Sequence, residues 1–203
     1  MPPTRQSPLK RAAILAAALD EFEARGYRET SMDRIAARAG VSKRTVYNHF
    51  LSKEQLFDAI AAQLIERVQE VSQRPYDPSQ PLEVQLEVIG DQVLDMLASP
   101  SFLTLARVTL AELIRSPELA RRTYGLFRAR QTGLARWLAD ADADGRLKVA
   151  EPDRAADQFM GLINAFALWP QLLGGQPVPD AAERARILQP AVAMLLRQYR
   201  QRV

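Results

Sequence analysis

Residues 30–57 read TSMDRIAARAGVSKRTVYNHFLSKEQLF, and this stretch decides the fold. It predicts two short helices joined by a glycine turn, followed at once by the start of a third helix. Gly40 suits the turn because glycine adopts a left-handed backbone without a clash at Cβ. Thr30 or Ser31 can cap the first short helix, and Ser42 can cap the second.

The second short helix, over residues 43–50, has two different sides. When successive residues are placed roughly 100° apart around a helix, Val46 and Phe50 fall on the side that faces inward. The opposite side is basic and polar, and its residues are Arg44, Thr45 and Asn48, with Lys43 and Tyr47 on one edge and His49 on the other. A helix, a short turn and a second helix with an exposed basic face form the helix-turn-helix arrangement that reads duplex DNA.

A plainer interpretation remains open for the same residues. Short capped helices are common, and a small helical corner can carry charges that are merely solvated. The combination of a glycine turn, a serine cap and a basic outer face that also bears an amide favours DNA binding over this alternative.

Residues 10–57 resemble the N-terminal domain of the TetR family of bacterial transcriptional regulators. The residues that carry the resemblance are Ile14, Ala17, Ala18, Phe22, Gly26, Tyr27, Thr30, Ile35, Ala36, Ala39, Gly40, Val41, Ser42, Val46, Tyr47, Phe50, Ser52, Lys53, Glu54 and Leu56. The region from Arg107 to Tyr124 resembles a C-terminal type found in multidrug-efflux and AefR-like members. The resemblance implies an all-α fold with a DNA-binding domain over 1–57 and a ligand-binding and dimerisation domain over 58–203.

The DNA-binding residues divide by the chemistry of their side chains. Arg44, Thr45 and Asn48 are candidates for base edges, because arginine can fork onto guanine and asparagine can pair with adenine. Contacts to phosphate are assigned to Thr30, Ser42, Tyr47, His49 and Lys53, and Lys43 completes the DNA-binding set. Family members commonly use the positions of Tyr47, His49 and Lys53 in this way.

Composition is consistent with this interpretation. Residues 1–57 carry ten Lys and Arg against six Asp and Glu, whereas the remaining residues carry 17 against 18. The positive excess therefore lies in the segment expected to meet phosphates. The chain has no cysteine, which excludes disulfides, and no long apolar run, so we expect a soluble cytoplasmic protein without a membrane partner.

Helices are also expected over 117–141, 153–174 and 180–202. Apolar residues surround almost the whole circumference of the helix at 153–174, which predicts burial on all sides. In a small domain one side can meet the core and the other a partner chain, so we expect a homodimer through 153–202, as the family typically forms. A central helix within a monomer is the alternative. A two-fold dimer would prefer a palindromic operator in double-stranded DNA.

The resemblance also implies an effector cavity in the C-terminal domain. Large apolar and aromatic residues suit a small hydrophobic molecule, and Arg107 can pair with Glu112 or with a ligand carboxylate. The candidates are Met96, Phe102, Leu105, Arg107, Tyr124, Phe127, Trp137, Phe159, Leu162, Phe166 and Trp169. Each apolar member can equally belong to the ordinary core.

Other chemistries find little support. His49 is the only histidine, so neither a transition-metal site nor a Ser-His-Asp constellation is expected, and no cofactor is predicted. Asp140, Asp142 and Asp144 with Glu151 match a calcium-loop spacing, but acidic turns are also common helix ends. The sequence therefore predicts a transcriptional regulator and not an enzyme, most simply a repressor released by an effector. An activator or an effector-independent DNA-binding protein remains the first alternative, and a helical enzyme that acts on a lipid or drug is the second.

Overall fold

The computed structural model describes residues 6–71, 73–128 and 133–201, which are helical along most of their length. The helices are α1 (Gln6–Glu29), α2 (Met32–Arg38), α3 (Lys43–His49), α4 (Lys53–Val71), α5 (Leu82–Ala98), α6 (Pro100–Arg115), α7 (Pro117–Arg128), α8 (Gly133–Ala143), α9 (Pro152–Ala167), α10 (Trp169–Gly174) and α11 (Ala181–Tyr199). An antiparallel bridge joins Leu147 to Arg200. The all-α prediction is confirmed.

Within the described ranges no single helix is both long and apolar enough to cross a membrane, although α5 and α6 together, as a bent pair, meet that criterion.

The helices form two compact units. The first contains the chain up to Ile65 together with Thr104–Phe127, and the second contains Glu66–Leu103 and the chain from Arg128 onward. Helices α4 and α6 therefore each begin in one unit and end in the other.

The first unit extends beyond the predicted division at 57/58. Leu105 and Val108 of α6 belong to the same buried cluster as α1–α4, so these four helices share their core with part of the later chain. Ile35 and Val46 have no exposed surface, which anchors α2 and α3 in that cluster. Each fully buried aliphatic side chain contributes about 1.5–3 kcal/mol of burial free energy.

In the second unit, α11 packs on both α5 and α9, and α8 packs on α9. Trp137 and Phe159 lie in its core, at 1% and 0% exposure. Gly90 of α5 faces Leu188 of α11 so closely that a Cβ at position 90 would fall on a Leu188 methyl group. The absence of a side chain at Gly90 therefore permits the close approach of α5 and α11.

One predicted helix is wrong in extent. The helix expected over 153–174 ends at Ala167, and α10 starts at Trp169. Proline at position 170 explains the break, because it lacks an N–H and disfavours a helical residue before it. The helix expected over 117–141 is described as α7 and α8, and residues 129–132 between them lie outside the described residues.

The calcium-loop spacing has a structural explanation instead. Asp142 Oδ1 accepts the Val149 N–H at 2.7 Å, and Asp144 Oδ2 accepts the Tyr76 hydroxyl at 2.5 Å. Asp142 therefore closes the turn after α8, and Asp144 joins that turn to the segment after α4. Among the residues with described positions, no group of three or more His, Cys, Asp or Glu side chains is arranged to hold a metal ion.

Substitution of Gly90 by Ala should destabilise the second unit, because Leu188 is buried and must leave its position to admit the new methyl group. We expect a loss of about 1–3 kcal/mol in the free energy of unfolding. Urea denaturation followed by tryptophan fluorescence measures it, since both tryptophans lie in this unit. Gly125→Ala on α7 is the control, since a Cβ there meets no atom within 4 Å. A Gly90 variant as stable as the wild type would contradict the proposed contact.

Candidate DNA interface

The turn between α2 and α3 has the predicted form. Gly40 has a φ of 65°, in the left-handed region. The Val41 N–H returns to the Ala36 carbonyl at 3.1 Å, and the Gly40 N–H returns to the Ala37 carbonyl at 3.2 Å. These bonds satisfy the carbonyls at the end of α2 and reverse the chain into α3.

Serine residues cap both short helices. Ser31 Oγ accepts the Arg34 N–H at 3.3 Å, so Ser31, one of the two predicted candidates, caps α2. Ser42 Oγ accepts the Thr45 N–H at 3.1 Å at the start of α3. At the start of α4, Ser52 Oγ accepts the Gln55 N–H at 3.3 Å, and Gln55 Oε1 accepts the Leu51 N–H at 2.9 Å.

Helix α3 presents one side to the core and the other to solvent. Val46 has no exposed surface and Phe50, just after the helix, is 4% exposed. Arg44, Tyr47 and Asn48 lie on the exposed side. A guanidinium, a phenol and an amide are thus available together on one helix whose opposite side is fixed in the core.

Two of the remaining polar side chains of α3, Thr45 and Lys43, form hydrogen bonds within the protein. The Thr45 hydroxyl lies 2.8 Å from Ser42 Oγ, which leaves its methyl group as the part available to a base. Lys43 Nζ lies 2.8 Å from Asp33 Oδ1 of α2, and this hydrogen bond raises the pKa of Lys43. His49 is half-buried at the end of the helix.

Lys53, which the sequence predicts as a phosphate contact, is engaged within the protein. Its ammonium donates to three carbonyl oxygens, those of Tyr27 at 2.7 Å, Arg28 at 3.1 Å and Thr30 at 2.9 Å. The ammonium also lies 4.5 Å from the centre of the Tyr27 ring. All three of its N–H donors are therefore engaged by the segment that follows the break in α1.

Thr30 also departs from the prediction, because its side chain is only 2% exposed. Its hydroxyl lies 2.9 Å from the Gly26 carbonyl and 3.1 Å from the Glu21 carbonyl. Gly26 breaks α1 with a φ of 80° and a ψ of 160°, which leaves carbonyls of the preceding turn without helical partners. The single hydroxyl proton of Thr30 is directed to these two carbonyls, and the buried side chain is not positioned to touch phosphate.

An ion pair joins α1 to α2. Arg38 Nε donates to Glu21 Oε1 at 2.6 Å, and Glu21 is almost fully buried. The hydrogen bond from Arg38 lowers the pKa of Glu21 from its ordinary 4.5 and outweighs burial, which acts in the opposite direction. The sequence does not predict this pair. Glu21 and Arg38 are 17 residues apart, and local sequence patterns do not indicate contacts at that separation.

The predicted ligand residues do not form one group. Leu105, Arg107, Tyr124 and Phe127 lie in the first unit, and the other candidates lie in the second. Their surroundings differ within each unit as well. The buried members are Phe102, Leu105, Trp137 and Phe159; Met96, Leu162 and Phe127 are half-buried; Tyr124, Phe166 and Trp169 are exposed.

Arg107 requires a correction. Its guanidinium lies 4.0 Å from Glu23 of α1, and Thr104 donates to the same carboxylate at 3.0 Å. The predicted partner Glu112 lies one and a half helical turns away from Arg107 and is buried. Arg107 is half-exposed on a surface of the first unit and serves to attach α6 to α1.

The fold and this interface define a helix-turn-helix protein. Residues 14–60 match the profile described as bacterial regulatory proteins, tetR family. Residues 84–201 match the profile of the AefR-like transcriptional repressor, C-terminal domain. The chain belongs to the TetR family of bacterial transcriptional regulators. The families and relatives that it matches are transcriptional regulators and not enzymes.

Solved structures agree along most of the chain. One is a TetR family transcriptional regulator from Pseudomonas syringae pv. tomato, 40% identical, with a TM-score of 0.81 over 95% of this chain and 97% of that one. Another is the flavonoid-responsive regulator FrrA, 28% identical, with a TM-score of 0.77 over 97% of this chain and 100% of that one.

Curated relatives match over a shorter region. The transcriptional activator FasR from Mycolicibacterium smegmatis is 37% identical over 86 residues, which is 40% of this chain and 39% of that protein. The chain covers less than half of the length of the first curated relatives that it matches. These matches support the family but not a particular regulated gene or effector.

Replacing Lys53 by Met should loosen the segment that follows Gly26, because three carbonyls lose their donor. We expect a loss of about 1–3 kcal/mol in stability of the first unit and faster hydrogen exchange over the end of α1 and α2. Hydrogen–deuterium exchange with peptide resolution measures both.

Lys43→Met is the matched control, because it removes one exposed ion pair and should change stability by less than about 0.5 kcal/mol. Equal and small effects of the two substitutions would contradict the structural role of Lys53.

Proposed function

We propose that the protein is a sequence-specific DNA-binding regulator that inserts α3 into the major groove. The observation that supports this most strongly is the exposure of Arg44, Tyr47 and Asn48 on a helix whose other side is buried in the core. A helix held in this way offers rigid side chains to base edges.

Roles within the interface follow from the contacts already described. Arg44 is assigned to guanine and Asn48 to adenine, and the Thr45 methyl group to the methyl group of thymine. Ser42, Tyr47 and His49 are assigned to phosphates. Lys43 adds positive charge at the edge of α3, where its ammonium pairs with Asp33.

A homodimer is part of the proposal and would present two copies of α3 to the DNA. Phe166 is 60% exposed and Leu173 is 79% exposed in the single chain, and Met194 of α11 is exposed as well. Large apolar side chains in such positions favour burial against a partner. A second copy packed on α9–α11 would cover them, and its two-fold symmetry would match a palindromic operator with half-sites separated by about 34 Å or a multiple of it.

The regulator is proposed to act as a repressor released by a small-molecule effector. The matched C-terminal profile is that of a repressor, and FrrA is named as responsive to flavonoids. FasR, in contrast, is named as an activator, which keeps activation as the second possibility for this chain. A DNA-binding regulator of bacterial genes would work in the cytoplasm.

Substitution of Arg44 by Ala should weaken binding to the duplex that the wild-type protein binds most tightly by about 1–3 kcal/mol and relax the preference at one base pair. Fluorescence anisotropy against that duplex and its single-base variants measures both effects. Binding to an unrelated duplex serves as the reference. The same loss on the unrelated duplex would mean that Arg44 contacts only phosphate.

Substitution of Phe166 by Glu should convert the dimer to a monomer, because the carboxylate would be buried against the partner without a counter-charge. Multi-angle light scattering at micromolar concentration measures the mass. Ile114→Glu is the matched control, since Ile114 is even more exposed but lies in the first unit. A wild-type protein that is monomeric under these conditions contradicts the proposed assembly.

A further inference from the structure

A cavity of about 450 Å³ opens in the second unit, between the end of α4 with the residues that follow it and helix α8. Its walls include Gln73, Arg74, Pro75, Arg136, Trp137 and Asp140. The volume lies within the range that holds small organic ligands. Of the ligand candidates named from the sequence, Trp137 is the one that lines it.

The cavity carries an excess of positive charge. Arg74 contributes a guanidinium group from the segment after α4, Arg136 contributes another from α8, and Asp140 contributes one carboxylate. Within the described part of the chain, neither arginine forms a salt bridge, even though Asp140 lies one helical turn from Arg136. A guanidinium without a counter-ion at the mouth of a cavity favours an anionic ligand group, and two of them can hold a carboxylate from both sides.

The wall behind these arginines is apolar and held in place. The Trp137 indole N–H donates to Gln85 Oε1 at 3.0 Å, and the Tyr76 ring meets Trp137 edge-on at 5.6 Å. Gln85 is 2% exposed, and its amide donates to the carbonyls of Asp77 at 2.8 Å and Gln80 at 3.1 Å. The loop that follows Pro75 is therefore tied to the same side chain that orients Trp137.

A second contact holds the same loop. Arg146 donates to the carbonyls of Pro78 at 3.1 Å and Gln80 at 2.9 Å. The wall formed by Pro75 and Trp137 is thus fixed before any ligand arrives. A preformed wall lowers the ordering cost of binding and suits a flat, rigid molecule.

We propose that this cavity binds an amphipathic small molecule that bears a carboxylate and an aromatic or other flat apolar body. The carboxylate lies between Arg74 and Arg136, and the apolar body lies against Pro75, with the buried Trp137 beneath it. This inference rests on the proposed function in one respect: the bound molecule is the effector of the regulator. A ligand in this cavity contacts the residues at the end of α4. The same helix begins at Lys53 in the first unit, which carries the proposed DNA interface.

Isothermal titration calorimetry with 1-naphthoate, its neutral amide 1-naphthamide and the cation 1-naphthylmethylammonium tests the charge preference. We expect the wild-type protein to bind naphthoate about tenfold more tightly than the amide, because two charge-assisted hydrogen bonds form only with the carboxylate. Arg74→Gln and Arg136→Gln should each remove most of that preference. Arg154→Gln, at an exposed arginine of α9, is the matched control and should retain it.

Several outcomes would overturn the proposal. They are equal binding of the acid and the amide, tighter binding of the cation through Asp140, absence of naphthoate binding, and a preference that survives both arginine substitutions. Both arginines are exposed, so their substitution should leave the fold intact. Melting temperatures of the variants check that they are folded.

A separate titration distinguishes the effector role from the proposed function. Naphthoate should weaken duplex binding by the wild-type protein and leave duplex binding by Arg74→Gln unchanged. Binding of naphthoate without any effect on the duplex would overturn the effector role. Failure of the ligand-free protein to bind any duplex would overturn the proposed function alone, because the calorimetric charge preference does not depend on DNA.

Discussion

The DNA-binding unit depends on how the chain closes the end of α1. Gly26 breaks the helix and leaves backbone carbonyls that need donors in a partly buried position. Thr30 supplies a hydroxyl to two of them, and the Lys53 ammonium supplies three donors to the segment that follows. Without these donors the buried carbonyls would each cost about 1–3 kcal/mol. The start of α2 and the start of α4 are therefore held to one another through the end of α1.

The orientation of α3, the proposed reading helix, follows from this closure. Helix α2 is attached to α1 by the Glu21–Arg38 pair, and α3 follows α2 through a turn that only a left-handed residue permits without strain. Val46 then fixes the rotation of α3 about its axis by lying wholly within the core. A short helix of seven residues has little stability of its own, so its position is determined by these attachments.

Much of this unit could be predicted from the sequence because its signals are local. Gly40, Ser42, Val46 and Phe50 each act within a few residues, and the structure confirms their predicted conformation or burial. Lys53 could not be assigned in the same way. Its partners lie 23–26 residues earlier, and a lysine at a helix start is as suitable for phosphate as for carbonyl oxygens.

In the second unit the sequence predicts burial and the position of a cavity less well, because hydrophobicity alone does not distinguish core residues from surface residues. Large apolar residues such as Phe159 and Phe166 look alike in the sequence, yet one is fully buried and the other is 60% exposed. The cavity beside Trp137 is lined largely by polar side chains at helix ends, which hydrophobic patterns do not reveal. The break before Pro170 was visible in the sequence, but the apolar run around it suggested a continuous helix.

The measurement that most directly tests the account is selection of duplexes from a random pool by the wild-type protein, followed by sequencing. The account predicts enrichment of a palindromic sequence whose half-sites contain guanine and adenine at the positions reached by Arg44 and Asn48. A folded, dimeric protein that enriches no sequence would contradict the assignment of α3 as a reading helix.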